Sequence, residues 1–208
     1  MIILPQTHEE WLQHRKKGLG ASDAGTIIGV NKWKSNVDLF REKTGIKEAE
    51  DISDKPKVKL GHDEEPLIRA LFALENPEYL VEYESPFKMI FNSTHSFLFC
   101  TPDGELTERE TGRRGGLEIK TTEIMNSAQW KDWDNQVPQT YYSQVCHQML
   151  ATGWDFVILK ARIRYWKDGE LRIAERQYKI EREDAQADMD YLLEKEIEFW
   201  KSWHAPLW

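Results

Sequence analysis

The sequence predicts an α/β fold, a central mixed β-sheet flanked by helices. Three observations carry this expectation. Helical signals fill the first third, short aromatic and β-branched runs fill the middle, and a helix, a hairpin and a last helix close the chain. The resulting order, α-α-α-α-βββ-β-α-ββ-α, suits a mixed sheet covered by helices. At 208 residues, 40% of them hydrophobic, the chain can bury roughly 70–75% of its unfolded surface without covalent staples. No repeat, low-complexity tract or long linker interrupts it, so residues 1–208 read as one domain.

Taken in order, Thr7 and Glu10 make a capping box that opens a short helix through Arg15. Gly18-Leu-Gly20 breaks it, and Ser22 is placed to cap a second helix, Asp23–Ile28. Ser35 or Asn36 starts a third, ending at Thr44-Gly45. Val58–Glu75 is the clearest helix of the first half, with Leu60, Leu67, Leu71 and Leu74 near helical period. The charged segment Glu48–Lys57 before it is the nearest thing to a linker. Tyr79–Glu84, Phe87–Phe91 and Phe97–Cys100 are strand-like runs between Ser-Pro and Asn-Ser turns, followed by Asp103–Leu106 and a strand over Gly115–Thr121. Pro138 suits the first turn of a helix that runs to Thr152 and closes at Gly153. Phe156–Trp166 and Glu170–Ile180 form a hairpin around Asp168-Gly169. A last helix, about Arg182 to Trp203, ends in the apolar tail Ala-Pro-Leu-Trp208.

Charge and cysteine usage narrow the function classes. Lys and Arg number 28 against 36 Asp and Glu, a formal net of −8. Most of that excess lies in Glu181–Glu198, where eight acids face only Arg182 and Lys195. The first forty-eight residues carry eight bases against six acids, so an acidic exterior is compatible with a basic cleft for nucleic acid. No run of about 18 apolar residues occurs and Met1–Pro5 is too short for a signal peptide, which points to a cytoplasmic protein without a membrane anchor. Cys100 and Cys146 stand far apart with no C-x-x-C, which argues against disulfides, a zinc ribbon or an iron–sulfur cluster.

The chemistry concentrates in Thr101-Pro102-Asp103-Gly104 and Gly116-Leu-Glu118-Ile-Lys120. Alternation along a strand sends Glu118 and Lys120 to one face and Leu117 and Ile119 to the core. Asp103, at the end of the neighbouring strand, can meet Glu118. Two converging carboxylates form a hard-oxygen site suited to Mg²⁺ or Mn²⁺, with the Ile119 carbonyl as an extra ligand. Lys120 beside a metal-bound water can orient it or lower its pKa, as phosphodiester hydrolysis requires. E-x-K alone arises by chance about twice in a chain of this composition, so the weight rests on its apolar strand and the Pro-Asp turn before it. Gly61-His-Asp-Glu-Glu65 puts Glu64 and Glu65 on a helix from which one can reach the same site; His62 reads as structural. Arg15 and the hydroxyl of Ser22 at a helix N-terminus make a candidate anion site, to which Gln144 can add an amide. Tyr142, Val145 and Met149 read as core. Trp33 does too, with a wedge against the last base pair as its other reading.

The ordered set W-x-x-x-R-x6-S, G-x3-E, T-P-D-G, G-L-E-I-K and Y-x-x-Q-V resembles the phage lambda-exonuclease-like viral recombinase nucleases (YqaJ-type) of the PD-(D/E)XK superfamily. The resemblance spans roughly Trp11–Gly153. It implies a restriction-endonuclease-like core, two divalent ions (Mg²⁺ or Mn²⁺), and 5′→3′ digestion of duplex DNA that leaves 3′ single-stranded tails. It further implies a ring-shaped homotrimer, a single-strand DNA annealing partner, and a phage or prophage origin in a bacterial cytoplasm. By position, Asp103 and Glu118 become metal ligands, Glu65 the helix carboxylate of the second metal, and Lys120 the catalytic lysine. Arg15, Ser22 and Gln144 become terminal-phosphate contacts, joined by Thr101 where a serine is usual. Phe199, Trp200, Trp203 and Trp208 are candidates for subunit contacts or for packing on their own core. An endonuclease or nickase on the same core, and a DNA-binding module with a dead site, are the other readings; the missing cluster cysteines disfavour the iron–sulfur nucleases of the superfamily.

Overall fold

The computed structural model describes residues 1–50 and 54–204; the predicted tail through Trp208 and part of the Glu48–Lys57 loop lie outside the described residues. Along the chain run β1 (Ile2–Ile3), α1 (His8–Arg15), β2 (Leu19–Gly20), a 3-10 turn (Ala21–Asp23), α2 (Ala24–Ile27), α3 (Asn36–Lys43) and α4 (Pro56–Glu75). Then come β3 (Tyr79–Glu82), β4 (Met89–Phe91), β5 (Leu98–Cys100), β6 (Gly104–Glu108) and β7 (Arg114–Ile124). The chain continues with α5 (Ser127–Lys131), α6 (Gln139–Thr152), β8 (Phe156–Lys167), β9 (Glu170–Glu181) and α7 (Gln186–His204).

The expected α/β architecture is present, with two mixed sheets in place of one. The main sheet has the order β3-β6-β7-β8-β9, and a smaller one the order β1-β4-β5-β2. The β-rich middle divides because β4 and β5 pair with β1 and β2, two-residue strands too short to carry any period. In the main sheet only β7 and β8 run parallel, and α5 and α6 form the crossover between them. The β8–β9 hairpin turns at Asp168-Gly169, with φ of 54° and 78°, a left-handed pair that the Asp-Gly sequence accommodates.

Helix α4 covers one face of the main sheet, where Ile68 and Phe72 pack on Leu117, Ile119, Phe156 and Ile158. Helices α6 and α7 cover the other face, where Val145, Met149, Met189 and Leu192 meet Leu159, Ala161 and Ile163. The predicted leucine stripe of α4 is not its buried face, since Leu67 and Leu74 are 65% and 80% exposed. Two apolar stripes share that helix, and the aromatic cluster of Phe72 stacked on Tyr79, with Tyr79 tilted against Phe156, selects the other one. Gly115 and Gly116 let Phe156 and Trp154 lie directly on β7, because a Cβ at either would come within 2.4 Å of those rings.

Two local expectations change. Ser22 does not cap a helix. The Asp23 carboxylate takes the Gly20 N–H at 3.0 Å and pairs with Lys43 at 2.9 Å, and Ser22 stays at the surface. Although burial pushes the Asp23 pKa upward, Lys43 and Arg15 hold it down at about 2. Helix α5, only five residues long, is an addition; Asn126 and Gln129 form its capping box.

Register positions the site. Strand β6 pairs with β7 from Thr107↔Arg114 to Gly104↔Leu117 and begins there. Residues 118–124 of β7 run on without β6 beside them, held on the other edge by β8. An unpaired strand edge inside a covered sheet leaves backbone donors and acceptors to be satisfied by something else.

Candidate active site

A cavity of about 230 Å³ opens at that unpaired edge, lined by Gly61, His62, Glu65, Asp103, Glu118, Ile119, Lys120, Thr121 and Gln144. Asp103 stands immediately before β6, and its Oδ2 accepts the Ile119 N–H at 2.8 Å, replacing the missing ladder partner. Within a strand, the N–H and C=O of one residue point to the same edge, so the Ile119 carbonyl lies on the same edge as the N–H that Asp103 accepts. Glu118 is 1% exposed. Its Oε1 receives Lys120 Nζ at 2.5 Å and Gln144 Nε2 at 2.6 Å, and its Oε2 receives Gln148 Nε2. The strand alternation therefore holds: Glu118 and Lys120 share a face and meet directly.

Glu65 reaches the cavity from α4 and Glu64 does not join it. The Glu64 carboxylate lies 3.5 Å from the Thr121 hydroxyl and 4.0 Å from Arg162. Glu65 is paired with Arg69 one turn along, and Arg69 also donates through Nε to the Asp103 carbonyl while lying over the Tyr83 ring. One guanidinium thus ties α4 to the Thr101–Gly104 turn.

The electrostatics show a surplus of negative charge. Burial pushes the Asp103 pKa well up, and the neighbouring Glu118 and Glu65 push it further, against the pull of Lys120 and the Ile119 N–H. Burial likewise raises Glu65, with Glu118 adding to it and Arg69 and His62 opposing. Burial alone would lower Lys120, but Glu118 and Asp103 outweigh it and hold the ammonium above the ordinary lysine range. In this arrangement Lys120 is held in its ammonium form by the two carboxylates. Among the described residues, no three His, Cys, Asp or Glu side chains stand close enough to enclose a metal ion by themselves. Mg²⁺ does not require such a cage; it is commonly held by one or two carboxylates, with water and substrate phosphate completing the shell. Asp103, Glu118 and the Ile119 carbonyl supply hard oxygens of that kind, and the repulsion concentrated on Asp103 is what a divalent cation would relieve. The donor set fits.

Beside the cavity lies a second cluster. Arg15 Nη2 donates to Ser22 Oγ at 2.6 Å, and its guanidinium lies over the Trp11 ring, 4.9 Å from the centroid. Trp11 Nε1 in turn donates to Thr101 Oγ1 at 3.0 Å, two residues before Asp103. Arg15 and Ser22 thus meet directly, and Thr101 is linked to them through Trp11. Gln144, expected with them, is directed to Glu118 instead, its Nε2 donating to Glu118 Oε1.

Other expectations change as well. His62, read as structural, lines the cavity one turn before Glu65. Trp33, read as core, is 92% exposed. Phe199, Trp200 and Trp203 pack on their own chain, with Trp200 stacked on Phe97 at 4.7 Å, while Trp208 lies outside the described residues. Gln148 and Arg69 escaped notice. A signal for each was present: Gln148 is four residues after Gln144, and Arg69 four after Glu65, so each shares a helix face with its neighbour.

Comparison with known proteins decides the family: the model of the YqaJ-like viral recombinase domain matches residues 10–155. The chain belongs to the YqaJ-like viral recombinase family. It is 28% identical over 200 residues to the uncharacterized protein YqaJ of Bacillus subtilis, covering 93% of this chain and 56% of that one. This family member therefore spans about half the length of the curated relative it matches. Its fold resembles the crystal structure of an alkaline exonuclease (LHK-Exo) from Laribacter hongkongensis, with a TM-score of 0.65 and 17% identity, covering 94% of this chain and 92% of that chain. A second structure, LHK-Exo in complex with dAMP, matches over the same shares with a TM-score of 0.62 and 18% identity. Among the described residues, no helix is long and apolar enough to cross a membrane.

Proposed function

We propose that this chain is a metal-dependent deoxyribonuclease, a 5′→3′ exonuclease on duplex DNA ends that leaves 3′ single-stranded tails for recombination. The observation that carries the reading is the meeting of Asp103, Glu118 and Lys120 at one open strand edge, with Glu65 opposite. The resemblance to an alkaline exonuclease fold, and the dAMP complex of that protein, support a nucleotide-sized occupant. Mg²⁺ or Mn²⁺, in one or two ions, would be held by Asp103, Glu118 and the Ile119 carbonyl, with Glu65 serving the second. Such ions supply Lewis-acid stabilisation of the phosphoryl oxygens and a water of lowered pKa. Lys120 donates a hydrogen bond to the attacking water or to the phosphoryl oxygen, and its fixed charge offsets the negative charge that develops there. Gln144 keeps Glu118 in place. Arg15, Ser22 and Thr101 bind the 5′-terminal phosphate, and the exposed Trp33 presents an apolar ring to the end of the duplex. A single nuclease domain, a homotrimeric ring, an annealing-protein partner and a cytoplasmic phage or prophage setting belong to the same proposal through family likeness.

Digestion of a linear duplex with Mg²⁺, compared with EDTA, tests this reading. Asp103→Ala and Glu118→Ala should abolish cleavage, while Lys120→Ala should retain Mn²⁺ binding and lose turnover by roughly 10²–10³-fold. Near-normal digestion by Asp103→Ala would sink the assignment.

A further inference from the structure

Gln148 is a buried polar residue that the reaction outlined above does not use. It lies 1% exposed on α6, one turn after Gln144, and its Nε2 donates to Glu118 Oε2. Its Oε1 is buried and, among the described residues, meets no hydrogen-bond donor. For core packing alone this is a poor choice, because an apolar side chain of similar length would fill the space and strand no acceptor. The amide cannot turn over to rescue that oxygen, since doing so would set Oε1 against the Glu118 carboxylate. The residue gives up half of its hydrogen-bonding capacity to keep one donor on one carboxylate oxygen.

From this geometry we infer that Gln148 is a positioning residue for metal binding, fixing the carboxylate plane of Glu118 through its second oxygen. The inference rests on the reading that Glu118 is a metal ligand. Glu118 Oε1 is shared by Lys120 and Gln144, groups that line the cavity and face whatever occupies it. Oε2 is held from the core side by Gln148, which does not line the cavity. With that oxygen fixed, rotation about the last torsion of Glu118 is blocked whatever happens at the cavity side. A ligand held in advance loses less orientational freedom on binding an ion, and hydrogen-bond partners of metal ligands commonly contribute 10- to 100-fold in affinity.

The test is calorimetric titration with Mn²⁺, alongside thermal unfolding in EDTA, for wild type, Asp103→Ala, Gln148→Met and Gln148→Leu. Both Gln148 variants remove a stranded acceptor but leave the buried Glu118 Oε2 without its donor. Both should therefore unfold somewhat below wild type in EDTA, stay folded at the titration temperature, and bind Mn²⁺ about 10- to 100-fold more weakly. Unchanged Mn²⁺ affinity in both, with wild type binding and Asp103→Ala not binding, would overturn the inference and leave the metal site standing. Mn²⁺ affinity that falls only in step with the unfolded fraction of each variant would mark an ordinary core residue and also overturn it. Failure of wild type to bind Mn²⁺ would remove the metal reading and this inference with it.

Discussion

Asp103 carries the conflict on which the site is built. Its pKa is pushed up by burial and by two neighbouring carboxylates, so the folded chain binds this proton more tightly than the unfolded chain does. The contribution to stability therefore falls as pH rises from the ordinary Asp range through the elevated native value. Asp103→Asn, neutral at every pH, should make the metal-free protein more stable than wild type at neutral pH, and the difference should vanish below about pH 4. Unfolding curves in EDTA across that range check it; a variant less stable than wild type at pH 7 would contradict the account. Arg15 offers a second measurement. With the guanidinium already on Ser22 and over the Trp11 ring, a 5′-phosphate would gain a charge-assisted contact of about 1.5–3 kcal/mol, about ten- to a hundredfold. Ends bearing 5′-phosphate should be digested faster than 5′-hydroxyl ends, and Arg15→Ala should erase most of the gap at one fixed salt concentration. Equal rates on both ends in wild type would remove the phosphate pocket. Asp103, Glu118 and Lys120 were legible because a Pro-Asp-Gly turn and strand alternation are local patterns. Gln148 and Arg69 were not, because the groups they hold lie 30 and 34 residues away in the chain.

Helix α6 is the element on which the site depends, since it delivers Gln144 and Gln148 to β7 while Val145 and Met149 bury against β8. On another side of the same helix, His147 is fully buried between Glu196 of α7, with Nδ1 at 2.5 Å, and the Phe99 carbonyl of β5, with Nε2 at 2.9 Å. A ring nitrogen facing a carbonyl must donate, and one facing a carboxylate is best served by a second proton. Burial alone would lower the His147 pKa, but Glu196 and the Phe99 carbonyl outweigh it and raise it. A raised histidine pKa gives stability that is fully present below the ordinary value near 6.5 and is lost as pH rises through the native one. Glu196→Gln breaks a buried pair and should cost about 3–5 kcal/mol at pH 6. At this chain length that is roughly 6–20 °C in Tm. The gap should narrow toward alkaline pH, and a gap independent of pH would show that His147 is neutral throughout. At this scale the sequence was legible wherever an element was long or punctuated, as in the hairpin at Asp168-Gly169 and the stop of α6 at Gly153, which has a φ of 76°. The two-residue strands β1 and β2 carry no period, so the second sheet was invisible. The buried stripe of α4 was misread because packing of Phe72, not spacing, selects it.

Over the whole molecule, the acidic balance and the nucleic-acid reading are reconciled by where the charges lie. Most of the net of −8 is concentrated in and just before α7, away from the residues that line the cavity. The cavity lies where β6 stops short of β7, and its three carboxylates are met by Lys120 and Arg69. Those two cations balance part of the charge, and the remainder is the argument for divalent metal. An active centre of this kind can cut a duplex at its end or within it, and the fold alone does not choose. The proposed role of Arg15, Ser22 and Thr101 as contacts to a terminal phosphate is what distinguishes the two readings. The most direct test is digestion, in Mg²⁺, of linear duplexes labelled at either the 5′ or the 3′ end, with a covalently closed circle as the companion substrate. Early release of the 5′ label, late release of the 3′ label and an intact circle are the predicted result; cutting of the circle, or release of the 3′ label first, would contradict it.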